Sequence, residues 1–342
     1  MSNNALKILV VGPAWIGDMV MAQSLFKVLI ERNDGALIDV IAPSWTEALL
    51  SRMPEVHRSI SMPIGHGKLG LGFRWLLGKS LRSLQYDRAI VLPRSLKSAI
   101  TPFAAKAKRR TGFLGEMRYG LLNDIRPINK FALPRTIDRF VYLGLEPGEK
   151  LPKTIPNPEL LSDKENAATT KKRLGIGREN KPVLGLLPGA EYGPAKQWPA
   201  EHFSSVAETM AQKGWEIWIF GSEKDSAIAR EIKKNCKANC VDLTGKTGLL
   251  EAIDLISTTS AVVTNDSGFM HVAAALKVPL VAVYGSSDPL HTPPLSANAK
   301  IERLGLDCSP CFKRECPYGH YRCLKDLEPQ RIVKSIDSLQ NT

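Results

Sequence analysis

Three apolar runs in this chain end in polar loops whose residues are of the types needed for group transfer. Residues 12–18 (GPAWIGD) end in Asp18, whose carboxylate could accept a proton from a substrate hydroxyl. Residues 187–199 (LPGAEYGPAKQWP) present Lys196 in a loop rich in Gly and Pro. Such a loop suits a diphosphate, because backbone N–H groups and an ammonium offset its charge. Residues 220–225 (FGSEKD) place Asp225 where dinucleotide-binding folds use an acid to bind ribose hydroxyls.

Each of these three residues also has a purely structural interpretation. Asp18 could cap a helix that starts near Met19, and Asp225 could cap the helix that follows it. Lys196 could be an ordinary surface lysine on a loop. The residues alone leave both interpretations open at all three positions.

A fourth loop lies within residues 261–275 (AVVTNDSGFMHVAAA). A buried strand over 261–264 is predicted to lead into the turn at 265–268, and a helix of small residues to begin near Phe269. Backbone N–H groups at a helix N-terminus attract phosphates, so Ser267 and Gly268 are candidate ligand contacts. Asp266 itself would repel a phosphate, and its predicted role is to cap the helix.

The surrounding pattern alternates strands with helices and predicts an α/β fold of two doubly wound domains. Predicted strands cover residues 6–11, 36–42, 87–92, 183–187, 216–220, 241–243 and 280–284, besides 261–264. Predicted helices cover 19–31, 46–51, 200–213, 225–236 and 249–257, and an amphipathic helix follows a Gly-rich loop within 64–78. Residues 144–180 hold four prolines and few apolar clusters, which indicates a boundary. We therefore expect domains at 1–165 and 166–342.

The net charge of +12 on 342 residues points to an acidic partner, such as a phosphorylated substrate, an anionic membrane surface or nucleic acid. The basic residues form no long run and are not interleaved with aromatic residues, which argues against nucleic acid. No stretch of 18 apolar residues occurs, so no membrane span is expected. The N-terminus lacks the layout of a signal peptide, and a cytoplasmic protein is predicted.

Four cysteines, Cys308, Cys311, Cys316 and Cys323, lie close together in a segment rich in Pro and Gly. In a cytosolic chain such a cluster indicates a structural zinc site. The spacings of two, four and six intervening residues are not those of a standard zinc ribbon. Free thiols or a stress-induced disulfide are the alternatives.

Five motifs together resemble the ADP-heptose:lipopolysaccharide heptosyltransferases of glycosyltransferase family 9. They are residues 12–18, 62–67 (MPIGHG), 115–124 (GEMRYGLLND), 188–196 (PGAEYGPAK) and 264–271 (TNDSGFMH). The resemblance covers nearly the whole chain. It implies a GT-B fold, in which two Rossmann-like domains face a central cleft, and an inverting transfer. The implied donor is ADP-heptose, bound mainly by the C-terminal domain. The implied acceptor is the first inner-core heptose on Kdo–lipid A, bound by the N-terminal domain.

The resemblance also implies roles for residues that match the family motifs. Asp18 matches the proposed general base, and Lys196 matches the lysine at the donor phosphate. Asp225 matches the position that binds the adenosine ribose. The remaining implied donor contacts are Gly189, Ala190, Glu191, Asp266, Ser267, Gly268 and His271. No metal is expected to be obligatory, because the lysine and the helix N-terminus stabilise the leaving diphosphate, although Mg²⁺ could assist.

The basic side chains of His66, Arg94, Lys97 and Arg118 are candidates for contact with the phosphorylated acceptor, and a solvated basic face is the alternative. The chain is expected to be a monomer that touches the cytoplasmic face of the inner membrane. Two other functions stay open. One is a heptosyltransferase for a different core sugar, or another GT-B enzyme with a different sugar nucleotide. The other is a non-catalytic protein that binds an anionic glycolipid.

Overall fold

The computed structural model describes residues 5–65, 67–177, 179 and 181–340, and the chain forms two units, Met1–Pro158 and Glu159–Thr342. Each unit is built around its own six-stranded sheet, in which every strand pair is parallel. Among the residues described, no helix has both the length and the apolar character needed to cross a bilayer.

The first unit alternates strands with helices. Its strands are β1 (Lys7–Val11), β2 (Leu37–Pro43), β3 (Val56–Met62), β4 (Arg88–Val91), β5 (Arg109–Phe113) and β6 (Asp124–Arg126). Its helices are α1 (Ile16–Arg32), α2 (Ser44–Leu50), α3 (Leu71–Ser80), α4 (Ile100–Ala104) and α5 (Thr136–Gly144).

The second unit repeats this pattern. Its strands are β7 (Val183–Leu187), β8 (Glu216–Ile219), β9 (Cys240–Asp242), β10 (Ala261–Asn265), β11 (Leu280–Val283) and β12 (Ala299–Glu302). Its helices are α6 (Lys164–Leu174), α7 (Ala200–Gln212), α8 (Ser226–Asn235), α9 (Leu249–Ile256), α10 (Gly268–Ala275), α11 (Arg322–Lys325) and α12 (Pro329–Gln340).

The two sheets have equivalent strand orders, β3-β2-β1-β4-β5-β6 and β12-β11-β10-β7-β8-β9. In each sheet the order reverses between its first and fourth strands in the chain, which are β1 and β4 or β7 and β10. The loops after these two strands diverge to opposite faces and leave a crevice at the carboxyl edge, where doubly wound folds bind ligands. The topology therefore places one candidate binding crevice on each unit.

The central strands owe their burial to nearly continuous apolar sequence. All five residues of β7 and of β10 are buried, as expected for parallel strands covered by helices on both faces. Helix α7 packs on the second sheet through residues such as Phe203, which meets Trp198 edge to face at 5.0 Å. The fully buried Trp198 donates its indole N–H to Leu327 O, so the core needs no unpaired polar group there.

The structure corrects several predicted elements. Helix α1 begins at Ile16 rather than Met19, because the extended Trp15 is its N-cap and accepts the Met19 N–H. The sequence patterns did not predict strands β3, β5, β6 and β12, which carry many polar residues, or helices α4, α5, α6, α11 and α12. Helix α6 lies inside the predicted boundary region and is mostly exposed. Asp163 caps it by accepting from the N–H groups of Glu165 and Asn166.

Candidate active site

A cavity of about 650 Å³ lies at the carboxyl edge of the first sheet. The loops after β1, β3 and β4 line it, together with the end of β2. Asp18 and Lys97 are among the lining residues, and so is the nearly buried Arg74. The cavity thus occupies the crevice that the strand order predicts, and its lining includes two carboxylates, Asp18 and Glu116, as well as two cations.

Asp18 stands in the first turn of α1, where the helix N-terminus favours a negative charge. The N-cap of this helix is Trp15, so the alternative prediction that Asp18 is the N-cap is wrong. The turn is held close to β1 at Gly12, where a Cβ atom would lie 2.5 Å from Met19 Cε. Trp45 secures the same loop by donating its indole N–H to Ala14 O at 2.9 Å.

The predicted acceptor residues differ in their surroundings. Lys97 lies on the cavity wall and donates from Nζ to Lys68 O at 3.1 Å. Arg94 is exposed just outside the lining residues. His66 lies outside the described residues.

Arg118 is only 2 % exposed and donates to Pro93 O, Phe113 O and Ser98 Oγ. Burial lowers its pKa to about 10. The guanidinium therefore ties down the loop after β4 that lines the cavity, and any effect on an acceptor would pass through that loop.

In the second unit, Lys196 and Asp266 form an ion pair at the crevice between β7 and β10, with Nζ 2.5 Å from Oδ2. The Asp266 side chain is 4 % exposed and that of Lys196 is 18 % exposed. The pair joins the loop after β7 to the loop after β10. Ser267, not Asp266, is the N-cap of α10, so the predicted capping role of Asp266 is wrong. Asp266 instead pairs with the Lys196 ammonium, because a buried carboxylate is costly without a neighbouring cation.

His271 belongs to the same cluster and is buried in α10. Burial lowers its pKa to about 4, while the nearby Asp266 carboxylate opposes this shift and the Lys196 ammonium adds to it. The imidazole is therefore neutral at physiological pH. A neutral ring can donate or accept a hydrogen bond without adding charge beside the ion pair.

Asn265 holds the two loops in register and was assigned only to a turn by the sequence. Its Nδ2 donates to Pro188 O at 2.7 Å, and its Oδ1 accepts the Trp198 N–H at 3.1 Å. Nearby, the buried hydroxyls of Ser286 and Ser287, just after β11, have no hydrogen-bond partner within the part of the chain that the structure describes. These serines are donor-site candidates that the sequence reasoning missed, since only the strand-end position of β11 marked them.

Asp225 contacts the loop after β7 from the neighbouring strand end. It caps its own turn, with Oδ2 accepting from the N–H and the hydroxyl of Ser222. Its other oxygen, Oδ1, lies 2.8 Å from where a Cβ on Gly189 would stand. Asp225 is the N-cap residue of α8, but its side chain makes no capping hydrogen bond to that helix, and the carboxylate also borders the predicted donor loop. Glu191 in that loop is exposed and pairs with Lys224 at 2.8 Å, while Ala190 O accepts the Gly193 N–H.

The cysteine-rich segment, residues 308–323, packs against this donor loop. Arg314 O accepts the Ala195 N–H, and Tyr192 donates its hydroxyl to Phe312 O at 2.8 Å. Two cations lie over the Tyr192 ring, with Lys196 Nζ 5.1 Å and the Arg314 guanidinium 5.5 Å from its centroid. Gly193 has a φ of +150°, and a Cβ there would lie 2.6 Å from Arg314 O, so only glycine fits. The segment therefore braces the loop that carries Lys196.

The four cysteines of this segment are unpaired and only partly exposed. Burial raises the pKa of Cys323 to about 11, and the charges of the thiols of Cys308, Cys316 and Cys311 raise it further. Within the ranges that the structure describes, no three His, Cys, Asp or Glu side chains are arranged to hold a metal ion. The zinc site stays a prediction.

Comparisons with known proteins agree with this arrangement. The model of glycosyltransferase family 9 (heptosyltransferase) matches residues 74–322. Lipopolysaccharide heptosyltransferase 2 of Escherichia coli is 45 % identical over 98 % of both chains. Lipooligosaccharide heptosyltransferase 2 of Haemophilus ducreyi is 45 % identical over 98 % of this chain and 99 % of its own. The solved structure of E. coli ADP-heptose LPS heptosyltransferase II matches with a TM-score of 0.88 and 42 % identity, covering 98 % of each chain. The predicted α/β fold of GT-B type is confirmed.

Proposed function

This chain belongs to glycosyltransferase family 9, the heptosyltransferase family, and we propose that it is a lipopolysaccharide heptosyltransferase II. In this proposal it moves L-glycero-D-manno-heptose from ADP-heptose to the first inner-core heptose of Kdo–lipid A. The observation that carries the proposal is the full-length identity of 45 % to heptosyltransferase 2 proteins. The Lys196–Asp266–His271 cluster at a doubly wound crevice supports it, since such a crevice suits a nucleotide diphosphate.

The proposed reaction is a single displacement with inversion at the anomeric carbon. The acceptor hydroxyl gives its proton to the Asp18 carboxylate while its oxygen forms the new bond to the heptose. The bond between the anomeric carbon and the phosphate oxygen breaks, and ADP leaves with the electron pair. Lys196 and the first N–H groups of α10 stabilise the charge that grows on the diphosphate. Mg²⁺ would assist this step but is not required in the proposal.

The proposed donor contacts are Gly189, Ala190, Glu191, Asp225, Ser267, Gly268 and His271, besides Lys196 and Asp266. The acceptor, which carries phosphate and Kdo, is proposed to bind in the cavity that Asp18 and Lys97 line. Arg94 would contact it from the cavity's edge. Because the acceptor is anchored in lipid A, we place the enzyme, as a monomer, at the cytoplasmic face of the inner membrane.

We also propose a structural zinc ion bound by Cys308, Cys311, Cys316 and Cys323. Support comes from the clustering of four thiols in one short segment, in which the other three lie near enough to Cys323 to raise its pKa. Zinc thiolates would order a segment that contains few apolar residues, and the ion has no part in the proposed transfer.

The test is an ADP-release assay with ADP-heptose and heptosylated Kdo–lipid A. Release of ADP together with a product heavier by one heptose supports the proposal. Kdo–lipid A without heptose is the matched acceptor control, because a heptosyltransferase I would use it and a heptosyltransferase II would not. ADP-glucose is the donor control. Binding of the acceptor without any ADP release would point to a non-catalytic glycolipid-binding protein.

A further inference from the structure

Helix α3 presents large apolar side chains to the solvent. Six such residues on α3, on the loop before it and on α4 expose between 36 % and 64 % of their surface: Leu69, Leu71, Phe73, Trp75, Leu76 and Phe103. We call these six residues the α3 surface. Only Arg74 and Gly78 of the helix are buried, so its apolar residues cannot all be serving the core of the first unit.

The sequence around the α3 surface carries nearly all the net positive charge of the chain. Residues 56–123 contain thirteen Lys and Arg but only two acidic residues, Asp87 and Glu116. This stretch therefore carries a net +11 of the +12 of the whole chain. A helix with exposed aromatic and aliphatic residues beside basic residues is the pattern of proteins that lie in an anionic membrane interface.

Basic and aromatic side chains are in direct contact on this surface. Trp75 and Phe103 pack with their ring centroids 6.2 Å apart, which links α3 to α4. Lys79 Nζ lies 6.0 Å from the Trp75 ring, and the Arg110 guanidinium lies 5.5 Å from the Phe103 ring. Tryptophan favours the interface between lipid headgroups and acyl chains, and a neighbouring cation can reach a lipid phosphate.

The α3 surface is continuous with the candidate acceptor cavity. Leu69 belongs to both, and Arg74 lines the cavity from the buried side of α3. Arg74 Nε donates to Leu69 O at 2.9 Å, and Lys97 Nζ donates to Lys68 O at 3.1 Å. A membrane that contacts the α3 surface would therefore border the cavity that contains Asp18.

We propose that the α3 surface docks the enzyme on a bilayer of anionic phospholipid and so brings the cavity to a lipid-anchored acceptor. This inference rests on the proposed function for its purpose, but the docking itself needs no substrate. Charge complementarity favours an anionic bilayer over a second copy of this chain as the partner of the α3 surface. A second copy of this chain would bring the exposed cations Lys68, Lys79 and Lys106 against themselves, whereas anionic headgroups neutralise them.

The test is co-sedimentation of the full chain with vesicles that contain no lipopolysaccharide. Binding to phosphatidylethanolamine vesicles containing one quarter phosphatidylglycerol should exceed binding to pure phosphatidylcholine by at least about tenfold, and it should weaken as salt is raised. The variant Phe73→Ser with Leu76→Ser should lose about tenfold in binding to the anionic vesicles. Leu290→Ser is the matched control, because Leu290 is 70 % exposed in the second unit.

Two charge-reversal variants give a second test of vesicle binding, one that does not depend on apolar contacts. Lys79→Glu should weaken binding several-fold, while Lys172→Glu, at an exposed site on α6, should leave it unchanged. Wild-type binding by the Phe73 and Leu76 double variant would overturn the proposal. So would vesicle binding that ignores lipid charge, or self-association in solution that requires Phe73 and Leu76.

The result is separable from the proposed function. The double variant should keep its rate of ADP release with a deacylated, water-soluble acceptor and lose rate only with acceptor embedded in vesicles. A chain that binds anionic vesicles through the α3 surface but releases no ADP with either acceptor would leave the docking intact and refute the transferase assignment.

Discussion

Lys196 Nζ lies 2.5 Å from Asp266 Oδ2, and this ion pair ties the loop after β7 to the loop after β10. A carboxylate that is 4 % exposed is costly without its cation. The proposed donor phosphate would therefore share the ammonium with Asp266 and not take it over. The Asp266 carboxylate fixes the direction in which Lys196 points. It also offsets part of the positive charge that Lys196 would offer to the phosphate.

A double-mutant cycle tests this pair. Lys196→Met should weaken ADP binding at least about tenfold and lower stability by about 3 kcal/mol, because Asp266 is left without its cation. Asp266→Asn alone should lose less stability. The double variant should recover most of the stability but none of the ADP affinity. Calorimetry and thermal unfolding give the two readouts, and additive stability losses would show that the pair is not coupled.

Asp18→Asn should lower kcat by two or more orders of magnitude while leaving ADP-heptose affinity nearly unchanged, because only the proton acceptor is removed. Asp34→Asn, at an exposed site just beyond the end of α1, is the control. The melting temperature reports any loss at the N-terminus of α1. Near-normal turnover in the folded Asn variant would exclude Asp18 as the base.

Stability should fall as the pH drops from about 6.5 to about 4, in part because of His271. Burial lowers the pKa of His271 to about 4 in the folded chain, so the unfolded chain takes up the proton first. The contribution of His271 is fully present above pH 6.5 and is lost as the pH approaches 4. Thermal unfolding of His271→Gln should show a shallower pH dependence than that of the wild type over this window. A profile for His271→Gln that runs parallel to the wild type would contradict the assignment.

Protein purified without added metal should contain about one zinc per chain, and removing it should lower the melting temperature. Because the ion has no part in the proposed transfer, activity per folded molecule should survive its removal better than stability does. The contacts of Arg314 O with Ala195 N and of Phe312 O with Tyr192 now predict that ADP affinity weakens as well. Cys236→Ala, at a buried thiol far from the segment in sequence, is the control for Cys311→Ala. Protein free of metal, with four freely titrating thiols in the segment, would refute the site.

The strands that carry the second crevice were readable from the sequence because they are apolar throughout. β7 and β10 are buried along their whole lengths, so their ends and the polar loops beyond them stood out. The missed strands β3, β6 and β12 lie at sheet edges. Edge strands carry polar residues to discourage further pairing, as His57 and Arg58 do in β3, and this hides the alternating pattern.

Contacts between side chains that are far apart in the sequence could not be predicted from local sequence patterns. Lys196 and Asp266 are 70 residues apart, and the fold alone brings them together. In the sequence, Arg118 could not be distinguished from the other basic candidates for acceptor binding. In the structure it is buried and donates hydrogen bonds to backbone carbonyls. The brace from Arg314 to the donor loop spans still more sequence, and no local pattern marks it.

Each sheet takes all its described strands from one side of the division between Pro158 and Glu159. Genetic recombination at that point would exchange an entire crevice together with the strands that shape it. It would interrupt neither of the two sheets. A hybrid gene joined there would inherit the Asp18 cavity from one parent and the Lys196 loop from the other. Under the proposed assignment of acceptor and donor to the two units, swapping halves between relatives would exchange one binding crevice without rebuilding either hydrophobic core.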